Sequence, residues 1–235
     1  MPQVNCAPVL APEAPCVTNR FSVRTSIDTL YSCEVRTRGK LEPDPGPVIP
    51  AGILRARDLA AAGISRQSVA ALAKSGRVLR VSRGVYVSPD HSLTEKHSIA
   101  VACTRVPGGV ISLMSALVFH GLTDHNPFEV WMTIAPAARR PMMDQPPLRV
   151  TRFSGAALTH GVETHSVEGA RVRVYSVAKT VADLFKYRNK IGIDVAVQAL
   201  RDALQDRRLT IDDLVEAARV CRVERVITPY VEALQ

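Results

Sequence analysis

GILRARDLAAAGISRQSVAALAKSGRVLRVSRGVYVS, residues 52–88, decides how the rest of this chain is read. Leu54, Leu59 and Ala62 share one face of a first helix over 54–62. Gly63 ends that helix, because the backbone of a tight turn enters positive φ most cheaply at glycine. Ile64 fills the space between two helices, and Ser65 is placed to accept a free N–H at the start of the second. Glu and Gln are absent three residues later, so there is no capping box. Val69, Leu72 and Ala73 follow at helical spacing, and Gly76 closes the helix. Val78–Val81 and Val85–Val87 are β-branched runs joined by a three-residue loop, Ser82-Arg83-Gly84, with glycine last. Two short helices, a tight turn and a hairpin are the order of a winged helix-turn-helix.

The charges of this stretch favour a polyanion. Arg55, Arg57, Arg66, Lys74, Arg77, Arg80 and Arg83 face only Asp58. Ser65, Arg66, Gln67 and Ser68 occupy the start of the second helix, the turn that enters the major groove in helix-turn-helix proteins. Arg pairs bidentately with guanine and Gln with adenine. Arg80 and Arg83 on the hairpin would reach phosphates or a minor groove. The partner expected is duplex DNA. The competing reading is a solvated, Arg-rich helix pair that only packs.

The whole chain is compatible with such a partner. It has 235 residues, a formal net charge of +8 and a pI near 9.6. That charge alone does not separate nucleic acid from an acidic membrane surface. Its most apolar run, Val110 to Leu122, is broken by Ser112, Ser115 and His120 and falls short of the ~20 residues of a membrane span. A cytoplasmic protein with no membrane partner is expected. Cys6, Cys16, Cys33, Cys103 and Cys221 form no CxxC pair and are odd in number, so neither a disulfide framework nor a zinc finger is expected.

Composition divides the chain into three parts. Residues 1–49 hold Pro43, Pro45 and Pro47 around Gly46 and show little apolar periodicity, which reads as a disordered tail rather than a signal peptide. A start codon assigned too early is a second explanation of this segment. The DNA-binding module spans 50–90. Residues 91–235 read as a second domain of mixed α+β type. In it, helices are expected over Thr94–Val106 with Thr94 as cap, over Val110–His120, from Ser176 as cap through VAKTVADLFKY, and over Asp194–Gln205 and Thr210–Val220. Strands are expected at Phe128–Ile134, Leu148–Phe153, Thr159–Val167 and Arg171–Val177, with a short closing segment at Glu224–Leu234. The fold class expected is thus α+β, a winged helix-turn-helix followed by a mixed α+β domain.

SRGVYV (82–87), ISLMSALVFHGL (111–122), VYSVAKTVADLFKYRNKIGIDVAVQALRDAL (174–204) and RVERVITPYVEAL (222–234) resemble AbiEi, the antitoxin of AbiE-type, type IV toxin–antitoxin systems. The resemblance runs over roughly residues 50–235, in the order of its parts as well as in these phrases. It implies an N-terminal winged module that represses the family's own operon at inverted repeats. It also implies a C-terminal domain that counters a nucleotidyltransferase-like toxin, with or without a stable complex. The proline-rich segment departs from the family pattern.

Enzymatic readings find little support. His120 and His125, like His160 and His165, are five residues apart, which is not the i,i+4 spacing of HExxH, and no acidic partner completes a metal site. Lys179 and Asp183 invite comparison with a nuclease cluster. Such chemistry needs several converging carboxylates, whereas a surface i,i+4 ion pair explains both residues. There is no GxSxG, P-loop or GxGxxG. Neither a catalytic site, a metal nor a cofactor is expected. Arg139, Arg140, Arg149 and Arg152 form a second basic cluster, and Lys179, Lys186, Arg188 and Lys190 a further one beside Tyr187. Both are either solvated faces or a surface for a partner. A plain repressor with a ligand-sensing second domain and a nucleic-acid-modifying enzyme are the alternatives to an antitoxin.

Overall fold

The computed structural model describes residues 52–125 and 127–234. The segment 1–49, with Cys6, Cys16 and Cys33, lies outside the described residues. Those described form a mixed α+β structure with a three-stranded and a five-stranded sheet.

The small sheet is built from β1 (Ile53–Arg55), β2 (Leu79–Ser82) and β3 (Val85–Val87), in the order β1-β3-β2 and antiparallel throughout. Between β1 and β2 come α1 (Ala56–Ala61) and α2 (Arg66–Lys74). The first helix therefore begins two residues later than its apolar spacing predicts. Ile53–Arg55 instead pairs in register with Val85–Val87, and Ala62 is exposed rather than inward. The hairpin tip is also shorter than expected. Ser82 pairs with Val85, leaving Arg83 and Gly84 to turn, and a register irregularity lies between Arg80 and Ser82.

Strand periodicity explains how this sheet is covered on both faces. Leu54 and Tyr86 pack with Leu59, Ile64, Val69, Leu72 and Val78 of the helix pair. Ile53, Val85 and Val87 point the other way and join a core with α3 (His97–Arg105). The module of residues 53–87 and the rest of the chain thus share buried apolar contacts.

The large sheet runs β6-β5-β4-β8-β7, with β4 at Val110–Ile111, β5 at Val130–Ile134, β6 at Leu148–Arg152, β7 at Val162–Val167 and β8 at Ala170–Tyr175. β4 pairs antiparallel with β5 and parallel with β8, while β5–β6 is parallel and β7–β8 antiparallel. Val130, Met132 and Ile134 face the α3 side. Trp131 faces a helical layer containing α4 (Leu113–His120), α6 (Val177–Lys186), α8 (Ile193–Gln205), α9 (Ile211–Cys221) and α10 (Glu224–Leu234). Two covered faces explain why β5 is apolar without alternation. Its one hydroxyl there, Thr133, donates to Ser112 Oγ at 2.9 Å and meets Thr151 Oγ1 at 2.7 Å. Two short helices complete the chain, α5 (Ala156–Thr159) and α7 (Arg188–Ile191).

Several elements depart from their sequence expectation. Val110–Ile111 is a strand, and the buried helix starts only at Leu113. Residues 156–159 are helical, so the strand expected from Thr159 begins at Val162. Phe128 lies outside β5 and is 85% exposed. Thr94 does not cap α3, whose N-cap position is Lys96. Its N–H and hydroxyl both donate to Glu168 Oε1, at 2.8 and 2.7 Å.

Glu168 sits in the β7–β8 turn, with a side chain 1% exposed, and is a junction of the structure. Its Oε2 meets His97 Nδ1 at 2.7 Å and lies 3.3 Å from His91 Nε2. Its carbonyl accepts Ile53 N–H at 2.9 Å, tying β1 to the large sheet's turn. Burial alone would push the Glu168 carboxyl up. The donors His97 and Thr94 outweigh it and hold the group at about 2.

Candidate nucleic-acid interface

Residues 63–66 set the geometry of the basic module. Gly63 turns at φ +80°. Ser65 is extended at φ −65°, ψ 158°, and its Oγ accepts Ser68 N–H at 3.1 Å, the N-cap expected of it. Val69 and Leu72 are buried beneath. Arg66 and Gln67 are therefore presented to solvent on the first turn of α2, with Ser68 half-buried between them and the core. Lys74, Arg77, Arg80 and Arg83 are exposed as well, Arg83 at the hairpin tip beside Gly84, φ +78°.

The two arginines before α1 behave differently. Arg57 is exposed and lies 3.6 Å from Asp58. Arg55 is half-buried. Its Nη2 donates to Cys103 O at 3.4 Å, at the C-terminal turn of α3, where carbonyls are free to accept. Burial, then the neighbouring charge of Arg57, pulls its guanidinium below the ordinary value. Arg55 thus reaches toward α3.

In the second half, Arg140, Arg149, Arg152 and Lys190 come together around a groove of about 570 Å³ along β6, with Glu129 and Tyr187. Arg149 lies over the Trp131 ring at 4.3 Å and 3.7 Å from Glu129. Arg152 Nη1 donates to Ala135 O at 3.0 Å and Ala138 O at 2.9 Å, holding the loop after β5. Arg139 is exposed on that loop, outside the groove lining. Lys186 is exposed, and Arg188 Nη1 donates to Phe185 O at 2.9 Å.

Lys179 is not on this or any other surface. Lys179 and Asp183 do pair at i,i+4, but both are wholly buried, contrary to the surface ion pair expected. The reason is α6 itself. Every residue from Val177 to Phe185 is buried, because α4, α8 and α9 pack round it. Burial raises the Asp183 carboxyl, against the Lys179 ammonium and a hydrogen bond from Cys221 Sγ. The Cys221 and Cys103 thiols are buried too, and burial pushes each up to about 12.

A second polar cavity, of about 540 Å³, gathers residues that sequence spacing had separated. His120, His160 and His165 line it with Glu163, Asp213, Glu216 and Arg208, whereas His125 lies elsewhere. His120 Nε2 donates to Tyr175 O at 2.7 Å, and burial lowers its pKa. Three elements bring these histidines together, which no short motif could announce. Among the described residues no three His, Cys, Asp or Glu side chains are grouped to hold a metal ion, and no helix is long and apolar enough to cross a membrane.

Comparisons with known proteins bear on residues 51–89, which match the family described as transcriptional regulator, AbiEi antitoxin. Among solved structures, the crystal structure of the RV2827C protein from Mycobacterium tuberculosis is similar at 15% identity and a TM-score of 0.49. That match covers 72% of this chain and 66% of the other. No curated protein matches. The basic helix pair and hairpin lie inside the matched segment, so it is residues 51–89 that are similar to the AbiEi antitoxin transcriptional regulators.

Proposed function

We propose that residues 53–87 act as a winged helix-turn-helix on duplex DNA and that the chain is the antitoxin of a type IV pair. In this reading two copies occupy inverted repeats upstream of the protein's own gene and repress it. Residues 91–235 counter a nucleotidyltransferase-like toxin in the cytoplasm, and the chain carries no catalysis of its own. The observation that carries the DNA reading is the first turn of α2. There Arg66 and Gln67 are held in solvent by the Ser65 cap, while the same helix buries Val69 and Leu72.

Two experiments test it. Binding to the upstream region should weaken steeply with salt. If ~4–6 phosphates are neutralised, log K falls against log salt with a slope of about −4 to −5. A slope near zero rejects DNA binding. The antitoxin role is tested by inducing the adjacent downstream gene alone and together with this chain. Rescue of growth by the full chain, retained when Arg66 and Gln67 are both changed to Ala, separates antitoxin activity from repression. Truncation is a poorer instrument, because Ile53, Val85 and Val87 share a core with α3 and their removal would uncover it.

The cavity of His120, His160 and His165 favours a second reading, a repressor whose second domain senses a small polar ligand. Absence of toxicity from the neighbouring gene, together with a metabolite that releases DNA, would support it.

A further inference from the structure

We propose that the groove along β6 is a docking site for an extended, acidic segment of a partner protein, which adds to the large sheet as a strand. This goes beyond the DNA reading and does not depend on it.

Among the described residues β6 ends the five-stranded sheet, with β5 on one side only. Pro147 O accepts Val130 N–H and Phe153 N–H donates to Ile134 O, so the odd-numbered residues turn their peptide groups to β5. The peptide groups of Leu148, Val150 and Arg152 therefore face the open edge. They offer N–H and C=O in alternation, which is what a partner strand's backbone matches.

The walls of the groove select the partner's charge. Among the described residues that line it, Arg140, Arg149 and Lys190 stand against the single carboxylate of Glu129, which is itself 3.7 Å from Arg149. Arg152 keeps one end in shape through Ala135 and Ala138. Acidic side chains at alternate positions of an added strand would meet these cations.

The floor argues against a nucleic acid in the same place. Phosphates only accept hydrogen bonds, so they could take the outward N–H groups of the edge but would leave its outward carbonyls without a donor, whereas a strand's backbone supplies both. Trp131 is buried under Arg149, leaving no open indole face for a base.

The test uses the full chain and a fluorescent synthetic peptide of alternating Glu and Val. Its comparators are the same peptide N-methylated at alternate amides, a Lys–Val peptide, and oligo-dT and oligo-rU of matched charge. The Glu–Val peptide should bind, the Lys–Val peptide should not, and N-methylation should weaken binding about tenfold or more. Val150→Pro removes an outward N–H without touching the β5 ladder and should weaken binding about tenfold in a variant that still unfolds cooperatively, at a somewhat lower melting temperature because Val150 also packs on the core. Should that variant misfold, the N-methylated peptide on the unaltered chain carries the same test. Arg140→Ala with Lys190→Ala should reduce binding and its salt dependence. Arg66→Ala should leave peptide binding unchanged, which keeps this result apart from the DNA reading. Equal binding of the N-methylated peptide would overturn strand addition. Displacement of the peptide by an oligonucleotide would reassign the groove to nucleic acid. Absence of binding would leave the cations as protection of an exposed edge and overturn the proposal.

Discussion

Lys179 Nζ lies 2.5 Å from Asp183 Oδ2, one turn apart on α6, and both side chains are sealed from solvent. Phe153 and Tyr175 rings stand 4.8 and 4.3 Å from the ammonium, and Cys221 Sγ donates to the other carboxylate oxygen at 3.2 Å. The cluster joins α6 to β8 and α9 at the centre of the helical layer.

Removing one partner of this pair strands the other in a low-dielectric interior. Asp183→Ala is expected to cost about 3–5 kcal/mol in urea unfolding, whereas Lys179→Met with Asp183→Leu should return to within about 2 kcal/mol of the parent. Equal losses for the single and double variants would mean that packing, not charge, dominates there.

Glu168 couples the fold to acid. Its folded value of about 2 lies below the ordinary 4.5, so its contribution is complete above pH 4.5 and is lost as pH falls from there toward 2. A shift of that size corresponds to about 3 kcal/mol. Glu168→Gln should lower stability at neutral pH and flatten the acid limb of a plot of urea midpoint against pH. An unchanged limb would place acid sensitivity in other groups.

Gly52 has no room for a side chain. It sits at φ +103°, and a Cβ there would come 2.5 Å from the Glu168 carbonyl oxygen, a backbone atom that cannot swing aside. Gly52→Ala is expected to cost about 2–4 kcal/mol, from positive φ and the clash together. Because β1 is anchored at this point, hydrogen exchange at Ile53 should rise more than at the α6 amides. Uniform exchange would argue that the module opens with the whole molecule.

Base reading and phosphate contact should separate by residue. Arg66→Ala and Gln67→Ala are expected to relax preference at one or two base pairs, by about 1–3 kcal/mol each. Arg80→Ala and Arg83→Ala should weaken binding to all sequences alike and reduce the salt slope by about one each. Arg55→Ala should act through stability instead, since its guanidinium holds the Cys103 carbonyl. Unaltered base preference in Arg66→Ala would mean that another surface reads the DNA.

Local signals proved legible where neighbours in sequence are also the interaction partners. The Ser65, Ser176 and Thr210 caps, the turns at Gly63 and Gly76, and the β3 hairpin needed only residues a few positions apart. Thr94 shows the limit. It has the look of a cap, but its donors go to Glu168, 74 residues away, and α3 starts without it. Leu54 and Arg55 read as the start of a helix until β3 is available to pair with them.

The sequence by itself determined the charge of the 52–88 module, its two glycine-punctuated helices with the Ser65 cap on the second, and the i,i+4 spacing of Lys179 and Asp183. These follow from residue chemistry and short-range geometry. Tertiary structure alone decided that this pair is buried, that Arg55 turns to α3, that three distant histidines share a cavity, and that β6 is, among the described residues, an edge strand lined by cations. Each of those depends on which distant element packs alongside, and burial and strand neighbours are properties of the assembled layers rather than of any window of the chain.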